Sequence, residues 1–111
     1  MARIYKILAR AEWDAARAAG RFDGSAVDAR DGFIHFSTAG QAAETLRLHF
    51  AGQTGLVLLQ IDVEALGGAI KWEPSRGGQL FPHLYGALDC AAVEAVIEIA
   101  DAEPRLGALA P

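Results

Sequence analysis

The sequence predicts a single α+β domain in which two main helices pack against a mixed or antiparallel sheet. Two observations support this class. The chain has 111 residues, which suits one domain and leaves little room for a second. Its segments run strand, helix, strand, helix and then mostly strands, and the later gaps are too short for the crossover helices of a doubly wound fold. We expect the domain to cover residues 1–102 and residues 103–111 to form a loose tail without periodic pattern.

The first half of the chain shows two strands and a helix. Arg3–Ala9 is short and rich in β-branched and aromatic residues, which indicates a strand. Ala11–Ala19 has helical composition and ends at Gly20. A loop rich in glycine and aspartate follows from residue 21 to residue 32, and Phe33–Ser37 then predicts a second strand.

The second half begins with a helix and continues mainly as strands. Thr38 and Gln41 form a capping-box pattern, so we expect a helix to begin there and to end at Gly52. Residues 55–63 are nearly continuously apolar, which predicts a strand covered on both faces. The remaining segments are a strand at 70–73 ended by Pro74, an irregular stretch at 75–86 and a strand at 93–99. The apolar stripes predict that four residues are largely buried: Trp13, Leu46, Phe50 and Leu59.

Composition excludes several classes of protein. Charged residues make up only 22% of the chain, which argues against a disordered protein. No apolar stretch approaches the roughly 20 residues of a membrane span, which argues against a membrane protein. The N-terminal residues lack the apolar run of a secretory signal, and one cysteine, Cys90, permits no internal disulfide. We therefore expect a cytoplasmic protein without a membrane partner. A net charge of −4 disfavours an RNA substrate without excluding it.

The segment DGFIHFST is the most informative motif. Strand alternation turns His35 away from the face shared by Ile34 and Phe36, so its imidazole can line a cleft. Ser37 and Thr38 would then lie beside free N–H groups at a helix start, where phosphates bind. The alternative is structural: a buried histidine bonded to a carbonyl group and a threonine that only caps the helix.

The segment KWEPSRGGQLFPHLYG is the second unusual motif, because it gathers charged and aromatic residues on a glycine-rich backbone. Arg76 can bind a phosphate or carboxylate, and an aromatic ring can stack on a base or nicotinamide. Alternatively, the aromatic residues only pack beneath the loop, and Glu73 is a surface charge. The candidate binding residues in this segment are Trp72, Arg76, Phe81, His83 and Tyr85.

Familiar catalytic and metal-binding patterns are missing from the sequence. The three histidines have no metal-ligand spacing, so we expect no metal site. The sequence contains no phosphate-binding Walker loop, no dinucleotide-binding glycine motif and no serine nucleophile elbow. Cys90 has no basic neighbour to activate it as a nucleophile.

The segments IYKIL, GFIHFST, LVLLQIDV, WEPSRGG and FPHLYG together resemble the bacterial domain-of-unknown-function 952 family, over about residues 3–99. That resemblance implies an ADP-ribosyltransferase-like fold with a split, bent sheet around a dinucleotide cleft, and no established activity. The stretch from IHFSTAGQAAE to LVLLQIDVEAL is also distantly similar to RNA 2′-phosphotransferases, which move an RNA phosphate onto NAD. His35 and Ser37 match the His-x-Ser pattern of those enzymes.

The resemblance implies a nucleotide cleft, and two hypotheses follow from it: the chain either retains transfer chemistry through NAD or has lost it. In the first, the protein is an ADP-ribosyl or phosphoryl transferase with His35 and Glu73 as catalytic residues and NAD as cofactor. In the second, it is a binding module for a nucleotide or other small ligand that has lost the chemistry. A third hypothesis is a scaffold domain, in which the aromatic residues only pack inside the fold. The binding residues under the first two are Ser37, Thr38, Trp72, Arg76, Phe81, His83 and Tyr85.

Overall fold

Two long strands, β1 (Arg3–Ala9) and β5 (Leu56–Asp62), pair antiparallel along their full length at the centre of the larger sheet. The computed structural model describes residues 2–102 and Leu109, with the side chains of Arg76, Asp101 and Ala102 outside the description. The sheet order is β4-β1-β5-β9, with β4 at Ser37–Thr38 and β9 at Val93–Glu98. Val57 and Leu59 of β5 lie in one apolar cluster and Leu56 and Leu58 in another, which confirms the prediction of a strand covered on both faces.

The two faces of the larger sheet carry separate apolar clusters. Ile4 and Leu8 of β1 face one cluster, whereas Tyr5 and Ile7 face the other, as strand alternation requires. Helix α1 (Arg10–Ala19) packs Trp13 and Ala16 into the first cluster and ends at Gly20, as predicted. Trp13 is 4% exposed and Leu59 is fully buried, which confirms two of the four core predictions.

A second, smaller sheet has the order β3-β7-β6, with β3 at Ile34–His35, β6 at Ile70–Pro74 and β7 at Leu80–Leu84. The prediction of an irregular stretch at 75–86 was therefore wrong for β7. Pro82 suggested a break because it cannot donate a backbone hydrogen bond. It is nevertheless accommodated in the ladder opposite Trp72, and its carbonyl accepts a hydrogen bond from the Phe36 amide at 3.0 Å.

The loop predicted at residues 21–32 contains regular structure. Strand β2 (Arg21–Phe22) pairs with β8 (Leu88–Asp89), and helix α2 (Ala26–Asp31) follows it. A capping box between Ser25 and Asp28 begins α2, and Gly32 ends it with φ +90°. The prediction of a plain loop was wrong because one six-residue helix is too short to show an apolar period.

The strand predicted at 33–37 is divided between the two sheets. β3 pairs with β7 in the smaller sheet, and β4 pairs with β1 in the larger one. Ile34 and Phe36 are each 2% exposed, which confirms that they share the core face. The change of sheet leaves His35 where the two sheets meet.

The second main helix begins later than predicted. Helix α3 is Ala42–His49, and Thr38 lies in β4, where its amide donates to Gln41 Oε1 at 3.0 Å. The glutamine half of the capping box thus forms without the threonine cap. Leu46 and Phe50 are partly buried and pack against the cluster around Tyr5, less deeply than Trp13 and Leu59 pack in the core. Phe50 also lines a cleft.

The end of the described chain is a short helix, α4 (Ile99–Ala102), after β9. Among the described residues, short 3-10 segments connect other elements at Val63–Ala69, Arg76–Gly78 and Cys90–Ala92. The tail predicted at 103–111 lies outside the described residues except for Leu109, which packs against the cluster around Tyr5. Within the described part of the chain, no helix has the length and apolar character needed to cross a membrane.

Candidate functional site

His35 and His83 are direct partners across the antiparallel pair of β3 and β7. Their ring centroids are 5.4 Å apart, with the rings edge to face. Phe33 packs against both, stacked on His83 at 4.1 Å and tilted against His35 at 4.6 Å. The smaller sheet therefore brings together two imidazoles from the two sequence motifs.

Asp28 of α2 orients the first imidazole. Its Oδ1 lies 2.7 Å from Nδ1 of His35 and accepts the His35 backbone amide at 3.1 Å. The Ser25 amide donates to Oδ2 at 2.8 Å, and Lys6 Nζ lies 2.9 Å from the same atom. The Asp28 carboxylate is thus held by four groups from three parts of the chain, and the ring of His35 is held with it.

These contacts determine the charge of Asp28. Burial by itself raises the pKa of this carboxyl group, but the hydrogen bond with His35, the Lys6 charge and the Ser25 amide outweigh it. The pKa of Asp28 falls to about 2, so the group is an anion at neutral pH. Burial lowers the pKa of the Lys6 ammonium, and Asp28 opposes that effect.

Glu73 of β6 orients the second imidazole. Its Oε1 lies 2.8 Å from Nδ1 of His83 and accepts the Tyr85 hydroxyl at 2.8 Å. The hydrogen bonds from His83 and from Tyr85 lower the pKa of Glu73. His83 is 3% exposed, and its Nε2 has no hydrogen-bond partner among the described residues.

Asp31, at the end of α2, contacts Nε2, the other ring nitrogen of His35. Its Oδ2 lies 2.9 Å from Nε2, and its Oδ1 accepts Arg30 Nε at 3.0 Å. The hydrogen bond from Arg30 is the main cause that lowers the pKa of Asp31. Both ring nitrogens of His35 therefore face carboxylates, an arrangement that only the doubly protonated ring satisfies at both atoms.

A cleft of about 440 Å³ lies beside the two histidines. This volume is within the roughly 300–1,000 Å³ range of small-molecule sites. Its walls combine hydroxyl and charged groups with aromatic rings. Among the lining residues are Ser25, Arg30, Asp31, His35, Ser37, Ser75, His83, Phe50 and Phe81.

Of the residues predicted from sequence, four line this cleft: His35, Ser37, Phe81 and His83. Ser37 is buried, with Oγ 2.9 Å from Thr45 Oγ1. Ser37 and Thr38 lie in β4 and not at a helix start as predicted, because helix α3 begins only at Ala42.

The other predicted residues lie outside the cleft lining or outside the described side chains. Glu73 and Tyr85 are hydrogen-bonded to each other and do not line the cleft. Trp72 is 43% exposed on β6. The side chain of Arg76 lies outside the described residues, although its neighbour Ser75 lines the cleft.

Sequence reasoning missed Lys6, Asp28 and Asp31. The pattern Ser25-x-x-Asp28, followed by Gly32, signals a short helix and was a usable clue to α2. Nothing local pointed to Lys6, which lies on a strand between apolar residues. The described residues hold no group of three or more side chains arranged for a metal ion.

The fold and the site define a small α+β domain in which two histidines, each hydrogen-bonded to a carboxylate, lie beside a cleft. The chain belongs to the DUF952 family, described as a protein of unknown function, whose sequence model matches residues 7–96. No protein of curated function matches the chain.

The chain is also similar to solved structures of protein CC0527 from Caulobacter crescentus, a structural-genomics target. The X-ray structure is 51% identical, with a TM-score of 0.84, and the match covers 89% of this chain and 96% of that one. The solution NMR structure is 57% identical, with a TM-score of 0.79, and the match covers 88% and 84%.

Proposed function

We propose that the cleft binds a nucleotide of the NAD or ADP-ribose kind, in a domain with an ADP-ribosyltransferase-like fold. The observation that carries this proposal is the meeting of His35 and His83 on one cleft wall, 5.4 Å apart. Each ring is oriented by its own carboxylate, as in binding sites whose polar groups are prearranged. The resemblance of the His35-x-Ser37 motif to nucleotide-dependent transferases supports the same ligand class.

The other cleft residues suit the parts of such a ligand. Phe81 and Phe50 supply aromatic surface for a base, and Ser75 and Ser25 supply hydroxyl groups. Arg30 is exposed at the rim and can meet a phosphate. The chain's net charge of −4 favours a small nucleotide over RNA as the partner.

Binding is favoured over transfer as the primary function. A transferase of the expected kind would use Glu73 against the developing charge on the ribose. Glu73 instead bonds His83 and Tyr85 and does not line the cleft, so we propose that it positions His83. Transfer through NAD is the second candidate, and the observation that favours it is the Asp28–His35 pair, the arrangement of an oriented acid–base catalyst.

The test is an amide NMR titration of the ¹⁵N-labelled chain with ADP-ribose and with NAD. We expect shifts concentrated in residues 33–41 and 75–85, which carry both histidines. No shift at millimolar concentration of either ligand would contradict the proposal. Release of nicotinamide from NAD, measured in the same samples, separates transfer from binding.

A further inference from the structure

We propose that strand β6, the outer strand of the smaller sheet, binds a second copy of the chain by antiparallel pairing about a two-fold axis at Trp72. The pairing joins the smaller sheets of the two copies edge to edge. It does not depend on the proposed function, because it uses the sheet edge and not the cleft. Two observations carry it: the direction of the backbone groups of β6 and the order of its side chains.

The backbone of β6 presents hydrogen-bonding groups on its outer side. Two amide-to-carbonyl hydrogen bonds flank its ladder with β7, from Ser75 to Gln79 at 2.9 Å and from Tyr85 to Ala69 at 3.0 Å. Hydrogen-bonded pairs alternate with non-bonded pairs along an antiparallel ladder, so the β6 residues whose backbone faces away from β7 are Ile70, Trp72 and Pro74. No hydrogen bond among the described residues uses the outward amides of Ile70 and Trp72.

A two-fold pairing at Trp72 satisfies these groups. The amide and the carbonyl of Trp72 bond the carbonyl and the amide of Trp72 in the second copy. The amide of Ile70 donates to the carbonyl oxygen of Pro74 in the second copy. Pro74 has no N–H group, but in this register it is needed only as an acceptor.

The side chains of β6 match their own reversed order. In the pairing, Lys71 of each copy lies opposite Glu73 of the other. Opposite charges directly across an antiparallel ladder stabilise it, and like charges destabilise it. The other face is apolar, with Trp72 opposite Trp72 and Ile70 opposite Pro74. A second copy of the chain in the antiparallel direction therefore supplies both the charges and the apolar surface that β6 fits.

The apolar face of this edge is exposed to solvent. Trp72 is 43% exposed. Leu80, which lies opposite Pro74 on the same face of the ladder, is 53% exposed. Neighbouring exposed apolar side chains mark association sites, and the pairing would remove Trp72 from water.

Glu73 connects the paired edge with the candidate site. Its Oε1 lies 2.8 Å from His83 Nδ1, and its side chain is 35% exposed. In the pair, Lys71 of the second copy would lie beside this carboxylate and stabilise the anion that orients His83. The dimer would thus support the position of one of the two histidines.

Sedimentation equilibrium of the full chain tests whether the dimer forms. A pair of five-residue strands is a small contact compared with stable interfaces of roughly 1,200–2,000 Å². We therefore expect weak association, with a dissociation constant between about 10 µM and 1 mM. A monomer throughout that concentration range would overturn the inference, and Lys71 and Pro74 would then be residues that protect the edge from pairing.

Amide hydrogen exchange, measured by NMR at the two ends of that range, locates the contact. We expect the outward amides of Ile70 and Trp72 to exchange severalfold more slowly at the higher concentration. The amides of Lys71 and Glu73 already face β7, so they are matched controls and should change less. A dimer that leaves Ile70 and Trp72 unprotected would use another surface, and that result would overturn the inference.

Charge reversal tests the register. K71E puts glutamates at both facing positions and E73K puts lysines there, so each variant alone should self-associate at least about tenfold more weakly. When the two variants are mixed, opposite charges face each other again, and we expect them to associate with each other. Lost stability could not produce this recovery. Two folded variants that fail to associate would contradict the two-fold register.

A matched control separates the local charge from the net charge of the chain. R47E makes the same reversal on α3, where the Arg47 side chain is 70% exposed, and it should leave self-association unchanged. If E73K does not fold, because it loses the hydrogen bonds to His83 and Tyr85, the comparison of K71E with R47E still tests the register. Equal self-association of K71E and R47E would overturn the inference.

Discussion

Lys6 and Asp28, 22 positions apart in the chain, form an ion pair shielded from solvent, with side chains 6% and 1% exposed. The Nζ–Oδ2 distance is 2.9 Å, and the same carboxylate bonds His35. A strand of the larger sheet and the short helix α2 are thereby joined directly beneath the candidate site.

Removal of one member of this pair should be strongly destabilising. K6M leaves the Asp28 charge buried without its cation, and we expect a loss of about 3–5 kcal/mol in the free energy of unfolding, measured by urea denaturation. R21A is the control, since it removes the Arg21–Asp23 pair, whose side chains are 67% and 66% exposed. That change should stay within about 1 kcal/mol. Similar losses for the two variants would contradict the prediction.

Stability should fall in acid because of Asp28. Its pKa is lowered from 3.8 to about 2 on folding, so its contribution is complete above the unfolded value and disappears as pH falls through the folded value. We expect a loss of about 2 kcal/mol between pH 5 and pH 2 from this group. Urea denaturation across that range measures it, and D28N should flatten the profile. An equally steep profile in D28N would assign the loss to other groups.

Strand β5 should be central to folding stability. Leu59 is fully buried in the first core cluster, so L59A should cost about 2–5 kcal/mol in the free energy of unfolding. L48A is the matched control, because Leu48 on α3 is 44% exposed and should change stability by less than about 0.5 kcal/mol. A cost below about 1 kcal/mol for L59A would show that β5 is not central.

Gly24 should be required for the placement of Asp28. A Cβ at Gly24 would lie 2.9 Å from the Asp28 Cβ, and the backbone has φ +110°. Gly20 also has positive φ, at +86°, but a Cβ there meets nothing within 4 Å. Both G20A and G24A carry the strain of positive φ, about 1 kcal/mol, and G24A adds the clash. Thermal denaturation should therefore show a larger loss for G24A, and equal losses would contradict the prediction.

His35 should contribute to binding more than to folding. We expect H35A to weaken ADP-ribose binding roughly ten- to a hundredfold, which corresponds to one lost hydrogen bond to a charged group. The fold should persist because Lys6 and the Ser25 amide still hold Asp28. H49A is the control, since His49 lines the same cleft at the end of α3. Calorimetric titration measures the ADP-ribose affinity of the two variants. An unchanged affinity in H35A would count against a binding role for His35.

The long elements could be predicted from the sequence because each carries a local signal in its own residues. The β-branched pattern of β1, the glycine stop of α1 at Gly20 and the apolar run of β5 are local signals. The alternation that places Ile34 in the core and turns His35 away from it is local as well. The family resemblance follows from motifs in these same segments, and the match over residues 7–96 confirms the family.

The sequence by itself therefore determined the fold class and the long elements, and its motifs singled out the two segments that carry His35 and His83. The tertiary structure alone decided that His35 faces His83, that Asp28 orients the first and that Glu73 orients the second. The physical reason is that β3, β4 and α2 have two to six residues each, too few to show a period. Their places depend on pairing with distant strands and on a buried ion pair, and such contacts between distant residues leave no local pattern in the chain.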